Sequence, residues 1–374
     1  MKELILHLGF HKTATSSIQE TLGNNIAILN QNGLCFPIFR GPENERFCNH
    51  SVPIHNIFSD NSKSYRMNLI NNVSSINAKN IYKEQLLSFM KTPHKLLLSG
   101  ESISTLNLQE LKELHSFFQG YKIRVIAFIR DSYSYHCSAI QQRVKGGTEC
   151  LTNPEVVKNS RKVINIKSIF PETEFHSFQK ACDFEGGPVR YFLELIDCNY
   201  KEIDALKLNE GVSFHSVRLL NYINKKEPAI IDGFPNPTRK GFTPHNIKFG
   251  IRRFVLTQDE LSGVIDEIKK EDISIERETE LQLIPKLYET NEITPPTRKD
   301  LIKLLTYSLG QPRAIRRCIY EYLQSSQFAS KSKIYHLYCQ AFIMELPNIA
   351  VMYSKVFIKK VILNFINPKT KRSF

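Results

Sequence analysis

The chain has 374 residues, of which 41% are hydrophobic and 23% are charged. This composition is typical of a globular protein with one large or two modest domains. The 50 lysines and arginines outnumber the 37 aspartates and glutamates, and the formal charge of +13 favours anionic ligands or surfaces. The eight cysteines are scattered and include no CxxC pair, which argues against a zinc site and against a disulfide framework.

The chain begins with a strand-like run rather than with a basic segment and a long apolar stretch. We therefore expect no signal peptide or membrane anchor, and a cytoplasmic protein with reduced thiols. Short apolar runs bounded by turn residues predict four buried strands. These runs are "ELILHLG", "KLLLSG", "KIRVIAFIR" and, as the weakest, "TEFHSFQ".

Helical patterns separate the predicted strands. Apolar residues recur at helical spacing after the first run up to a cap at Gly33, and "LQELKELHSFFQGY" forms a second amphipathic pattern that ends at Gly120. Strands that alternate with helices predict an α/β fold with a parallel sheet flanked by helices on both faces.

The chain changes character at about Asn209, where a mainly helical C-terminal region begins. We predict two domains, residues 1–225 and 226–374. The segment after Pro312 carries eleven lysines and arginines against two glutamates, which is +9 of the total charge. An apolar stretch at residues 334–353 is interrupted by Glu345 and Pro347, so we expect no transmembrane helix.

The basic tail allows three interpretations, one of which is a lid over an acidic acceptor. Its lysines alternate with apolar residues around Lys355, Lys359 and Lys360. This pattern is typical of a helix that packs on the protein with its lysines outward. It is equally typical of an interfacial helix, which would bring the protein to the inner face of an anionic membrane.

The loop "GFHKTATSS" after the first strand has the composition of an oxyanion site. It leads into a helix whose first amides lack partners, and Lys12 and four hydroxyl residues add donors. Glu101 and Arg130 follow the second and third strands, so all three strand ends meet at one edge of the sheet. The alternative is that the hydroxyls only cap the helix.

Two motifs resemble those of the sulfotransferases that use 3'-phosphoadenosine 5'-phosphosulfate (PAPS), in their bacterial form. "HKTATSSIQ" is similar to the loop that binds the 5'-phosphosulfate, although Ala14 stands where the common pattern has glycine. "VIAFIRDSYSYHCSAI" supplies the second signature, a strand ending in Arg130 with Ser138 eight residues later. The resemblance covers roughly residues 1–225 and implies a P-loop-like sheet with PAPS as co-substrate and no metal.

The resemblance also implies roles for individual residues. Lys12 would stabilise charge on the bridging oxygen as sulfate departs, which agrees with the physics of transition-state stabilisation. Arg130 and Ser138 would bind the 3'-phosphate. The residues of the loop that would surround the 5'-phosphosulfate are His11, Lys12, Thr13, Ala14, Thr15 and Ser16.

The general base is left open among three residues, with water or another residue as the remaining possibility. Glu101 is the first candidate, because a partly buried carboxylate beside the acceptor can have a raised pKa that suits proton abstraction. His50, in "FCNHS", is its rival, and His11 is a third candidate within the loop.

The predicted function is transfer of a sulfuryl group to a hydroxyl of a carbohydrate, glycolipid or other small acceptor. One alternative is a P-loop-type NTPase or kinase, which the phosphate loop disfavours because His11 occupies the place of the glycine before the lysine. A second is a non-catalytic protein that binds polyanions. No nucleic-acid-binding signature is present, so we expect no nucleic-acid partner.

Overall fold

The computed structural model describes residues 2–70, 76–152, 154–206, 211–283 and 295–343. In chain order the strands are β1 (Lys2–Leu8), β2 (Leu34–Cys35), β3 (Phe39–Arg40), β4 (Arg46–Phe47), β5 (Lys95–Gly100), β6 (Tyr121–Ile129), β7 (Glu174–Ser177), β8 (Ile230–Ile231) and β9 (Phe234–Pro235). The first helices are α1 (Thr15–Asn24), α2 (Ile26–Gln31), α3 (Ser51–Phe58), α4 (Arg66–Ile70), α5 (Ile76–Phe89), α6 (Leu108–Phe117), α7 (Ser132–Lys145) and α8 (Asn159–Ile169). The later helices are α9 (Phe178–Asp183), α10 (Gly187–Leu195), α11 (Phe214–Lys226), α12 (Gln258–Leu261), α13 (Ile265–Thr279), α14 (Arg298–Leu309) and α15 (Arg313–Ser325). Residues 331–343 are also helical.

The central sheet has five parallel strands in the order β2-β5-β1-β6-β7. The four strands predicted from the sequence are confirmed as β1, β5, β6 and β7. The α/β fold with a parallel sheet flanked by helices, and the helical C-terminal region, are likewise confirmed. β2 was not predicted, because a two-residue edge strand carries no hydrophobic pattern of its own.

Side chains of β1 alternate between two cores, as the pleat requires. Leu4, Leu6 and Leu8 pack on one face of the sheet with residues of α3, α5, α6 and α8, whereas Ile5 packs on the other face with residues of α1, α2 and α10. The strands that are covered on both faces are therefore apolar nearly throughout.

The helical pattern after β1 forms two helices rather than one. The helix is interrupted at Asn25. The backbone of Asn25 lies outside the helical region, and its side-chain amide donates to Thr21 O at 2.7 Å. This side-chain bond competes with the helix for a backbone carbonyl, which is the usual way in which asparagine interrupts a helix. Gly33 follows the second helix with a φ of 71°, as the cap prediction required.

The chain forms two compact units. The first contains residues 1–139, 153–210 and 261–289 and holds the sheet; the second contains residues 140–152, 211–260 and 290–374. The boundary that we placed at residue 225 falls within α11 of the second unit. Because a compact unit is not by itself an independently folding domain, the predicted domains stay predictions.

No helix of the described residues combines the length and the hydropathy needed to cross a bilayer. The apolar stretch at residues 334–353 lies only partly within the described residues. The tail around Lys355, Lys359 and Lys360 lies outside them, so all three interpretations of that tail stay predictions.

Candidate functional site

Three neighbouring strands deliver the candidate residues to one edge of the sheet. β5, β1 and β6 lie side by side and end at Gly100, Leu8 and Ile129. The Gly9 amide donates to Gly100 O at 3.0 Å. A Cβ on Gly9 would lie 2.7 Å from the Glu101 Cα and 2.3 Å from the Thr15 side chain. Glycine at this position therefore lets the loop after β1 approach the end of β5 closely.

The loop between β1 and α1 has an unusual backbone. Lys12 and Ala14 both adopt positive φ, at 70° and 59°, and Ala14 is the N-cap of α1. Left-handed residues that alternate with others turn backbone amides toward one side, and such concave arrangements bind anions. The first amides of α1 also have no acceptor within the helix. The backbone of this loop is thus suited to an oxyanion.

The hydroxyl groups of the loop contribute less than the sequence suggested. Thr13 is fully buried, and its hydroxyl donates to Phe10 O at 2.6 Å. Thr15 and Ser17 are also buried, whereas Ser16 is partly exposed. The expectation that the Thr13 hydroxyl faces an anion is therefore wrong, because that hydroxyl stabilises the turn from inside.

Glu101 is bonded to the loop rather than poised as a strong base. Its Oε1 lies 2.9 Å from His11 Nδ1, and its carboxylate accepts a hydrogen bond from the Lys12 amide. Burial on its own would raise the pKa of Glu101, but the bond from His11 and the charges of His11 and Lys12 outweigh it and lower this pKa below its usual value. The expectation that the pKa of Glu101 is raised is therefore wrong.

Arg130 holds the same loop from the other side. Its Nη1 donates to Lys12 O at 3.0 Å, its Nε donates to Ser134 Oγ at 2.9 Å, and its guanidinium lies over the Phe178 ring at 5.4 Å. The backbone of Lys12 therefore bonds to residues from both neighbouring strand ends: its amide to Glu101 and its carbonyl to Arg130.

Ser134, rather than Ser138, is the serine that the structure joins to Arg130. The Ser134 hydroxyl also donates to Asp131, whose Oδ1 accepts from the Ser134 amide at 2.8 Å and so caps α7. Ser138 lies one turn further along α7 and is partly exposed. The sequence analysis missed Ser134, although its i+4 spacing from Arg130 within "RDSYS" was visible.

His50 is enclosed in the protein interior. It is fully buried, its Nδ1 accepts from the Ser99 amide at 2.9 Å, and its Nε2 bonds to Pro37 O at 2.7 Å. Burial lowers the pKa of His50 to about 4. Both ring nitrogens are occupied by the backbone, so this geometry argues against His50 as the general base and gives it a structural role.

Lys162 on α8 is a further cation near Glu101. Its Nζ lies 3.0 Å from Asn159 Oδ1, and the charges of Glu101 and Glu271 act on it. Burial lowers the pKa of Lys162, and these two carboxylates partly offset that effect. No sequence motif marks Lys162, because its place depends on how α8 packs against the sheet.

Two adjacent carboxylates of α13 hold the starts of α7 and α8. Asp272 Oδ1 accepts from the Ser132 amide at 2.7 Å, and Glu271 accepts from the Ser160 amide at 2.6 Å and from its hydroxyl at 2.9 Å. Burial raises the pKa of Asp272 to about 6, and the charges of Asp131 and Glu276 add to this. These contacts fix the helix that carries Ser134 and the helix that carries Lys162.

Comparison with known proteins gives no match: no family model, no curated protein and no solved structure matches this chain. Among the described residues, no group of three or more His, Cys, Asp or Glu is placed to hold a metal ion.

Proposed function

We propose that this chain is a sulfotransferase that moves a sulfuryl group from PAPS to a hydroxyl of a carbohydrate, glycolipid or other small acceptor. The observation that carries the proposal is the fixation of the Lys12 loop by Glu101 and Arg130, the two residues that follow the neighbouring strands. Sulfuryl transfer needs an oxyanion loop, a cation at the leaving oxygen and a proton acceptor. In this proposal, the loop and the residues that hold it supply all three.

The loop supplies the binding site for the 5'-phosphosulfate in this proposal. The backbone amides at the start of α1 bind the phosphate oxygens, and Lys12 lies where charge develops on the bridging oxygen. Arg130, with Ser134 and Ser138 on α7, binds the 3'-phosphate, because a guanidinium can give a phosphate two parallel hydrogen bonds.

In the reaction, the acceptor oxygen forms a bond to sulfur while the bond between sulfur and the bridging oxygen breaks. The acceptor proton passes to a protein base, and 3'-phosphoadenosine 5'-phosphate leaves with the electron pair of the broken bond. Lys12 stabilises that departing charge, which is greater in the transition state than in the bound donor.

The base in this proposal is the pair formed by His11 and Glu101. When His11 Nδ1–H donates to the Glu101 carboxylate, the tautomer is fixed and Nε2 is left as an acceptor. His11 is half-exposed, with 36% of its side chain accessible, so an acceptor hydroxyl can reach it. Glu101 alone is the weaker candidate, because its lowered pKa reduces its basicity.

The proposal is tested by calorimetry without metal, comparing 3'-phosphoadenosine 5'-phosphate with AMP. We expect the 3'-phosphate to improve affinity roughly tenfold or more, since a charge-assisted contact contributes about 1.5–3 kcal/mol. Arg130→Gln should remove that preference. The matched control is Arg124→Gln on the same strand, which breaks an ion pair with Glu174 instead.

Turnover assays separate the alternatives. Transfer of radiolabelled sulfate from PAPS to an acceptor supports the proposal. Transfer of the γ-phosphate of ATP in the presence of Mg²⁺ would identify a kinase. Equal affinity for AMP and 3'-phosphoadenosine 5'-phosphate, without sulfate transfer, would refute the proposal and favour a polyanion-binding protein.

A further inference from the structure

The second compact unit contains a cavity of about 910 Å³ whose lining carries three arginines. Its principal polar and aromatic lining residues are Glu227, Thr238, Arg313, Arg316, Arg317 and Tyr338. The arginines come from the first turns of α15, the glutamate follows α11, and Tyr338 comes from the helical residues 331–343. A volume of this size is in the range of small-molecule sites.

The three arginines lie at the N-terminal end of α15, where positive charge does not stabilise a helix. Arg313, Arg316 and Arg317 lie in the first five residues of α15, and its first turn has no acidic residue. A cation in the first turn of a helix, where Arg313 lies, opposes the helix dipole. Within the described residues, Arg313 and Arg316 have no ion-pair partner. Helix stability therefore does not account for this cluster.

Glu227 adds a hydrogen-bond acceptor to a cavity whose other charged lining residues are arginines. Its side chain is 12% exposed, its Oε1 lies 3.5 Å from Arg317, and its Oε2 accepts from the Thr238 hydroxyl at 2.7 Å. An ionised carboxylate only accepts hydrogen bonds, and it retains lone pairs beyond these two contacts. It would disfavour a phosphate or sulfate group placed next to it, whereas it would accept a hydrogen bond from a hydroxyl group.

We propose that this cavity binds an anionic oligosaccharide, with its acidic groups on the arginines and a sugar hydroxyl on Glu227. Guanidinium forks match the planar or tetrahedral oxygens of carboxylates and sulfates. The Tyr338 ring offers an apolar face to the C–H groups of a sugar. The proposal concerns binding only and does not rest on the sulfotransferase activity proposed above.

The test is calorimetric titration of the full chain with a sulfated tetrasaccharide of alternating uronic acid and glucosamine. Polyphosphate of equal charge, which has no internal hydroxyl groups to offer, and a neutral glucose tetrasaccharide are the comparison ligands. We expect the sulfated tetrasaccharide to bind at least tenfold more tightly than either.

Variants locate the binding. Arg313→Ala combined with Arg316→Ala should weaken tetrasaccharide binding at least tenfold. Lys299→Ala combined with Lys303→Ala removes the same charge from exposed positions of α14 and should change it less than twofold. Glu227→Gln should reduce the preference for the tetrasaccharide over polyphosphate. All of these residues except Glu227 are exposed, so the fold of both double variants is expected to survive.

Two results would overturn the proposal. Equal losses in the two double variants would mean that the net charge attracts the ligand without a defined site. Polyphosphate that binds as tightly as the tetrasaccharide would mean that hydroxyl groups are not recognised, and the cavity would then be a simple polyanion site.

Discussion

Replacing Asp272 by Asn should make the protein more stable at neutral pH and flatten its dependence on pH. Asp272 is buried, and its Oδ2 has no hydrogen-bond partner within the described residues, while Oδ1 accepts from the Ser132 amide. An asparagine oxygen can keep that bond to Ser132. The substitution therefore removes the buried charge and preserves the contact that holds the start of α7.

The magnitude follows from the pKa of Asp272, which burial raises from an ordinary 3.8 to about 6. Because the folded protein holds this proton more tightly than the unfolded chain, the free energy of unfolding falls as the pH rises from about 4 to about 6. The difference between the two pKa values corresponds to ~3 kcal/mol at neutral pH. About 2 kcal/mol of this should appear between about pH 4.5 and pH 7.5.

The assay is urea unfolding of both proteins at these two pH values. The advantage of Asp272→Asn should be about 2 kcal/mol larger at the higher pH, which is the sign expected for a carboxyl with a raised pKa. A constant difference between the two proteins would show that Asp272 titrates normally. A larger advantage at the lower pH would refute the reasoning outright.

Three further substitutions test the site and its supports. Lys12→Ala should lower kcat/KM for sulfate transfer roughly 10³-fold, while thermal unfolding shows a stability within ~0.5 kcal/mol of wild type; an active variant would remove Lys12 from catalysis. Ala14→Gly should stabilise the protein by ~0.5 kcal/mol, because relief at a φ of 59° exceeds the added backbone entropy of the unfolded chain. Urea unfolding checks this beside Ala78→Gly, which lies in α5 and should destabilise instead. His50→Gln should cost ~1–3 kcal/mol of stability through buried hydrogen bonds. Its kcat should stay near wild type when measured on folded protein, and a selective loss of kcat would return His50 to the list of bases.

The sequence predicts those elements of the fold that have a hydrophobic pattern of their own. β1, β5 and β6 are apolar runs long enough to stand out, and their adjacency brings Glu101 and Arg130 beside the loop by topology alone. The two-residue strand β2 carries no pattern. At Asn25 the helix ends beside a side-chain bond to Thr21 O, and the apolar spacing on both sides of Asn25 gives no sign of this break.

The sequence predicts those parts of the site that follow from the order of the strands. It does not predict the contacts that side chains make across the fold. No sequence pattern marked His50 as buried, and its ring is held by bonds to Pro37 and to Ser99, which lies on β5. Asp272 lies 140 residues from Ser132, so no local motif could reveal that it fixes α7. Contacts of this kind depend on how helices pack, and sequence patterns describe only which face a helix buries.

The lowered pKa of Glu101 has a direct relation to the proposed donor. A loop that binds an oxyanion must concentrate positive charge, and the hydrogen bond from His11 together with the charge of Lys12 therefore keeps the Glu101 carboxyl ionised when no anion is bound. Binding of a nucleotide phosphate would neutralise part of that charge, so the pKa of Glu101 should rise when 3'-phosphoadenosine 5'-phosphate binds. Carbon-13 NMR titration of the Glu101 carboxyl, with and without this nucleotide, measures the change, and Glu174 beside Arg124 is the internal control. An unchanged Glu101 titration at saturating nucleotide would mean that the phosphate binds away from the Lys12 loop. A rise confined to Glu101 would mean that the bound nucleotide raises the basicity of the carboxylate that orients His11, so that the proposed base becomes stronger when the nucleotide site is filled.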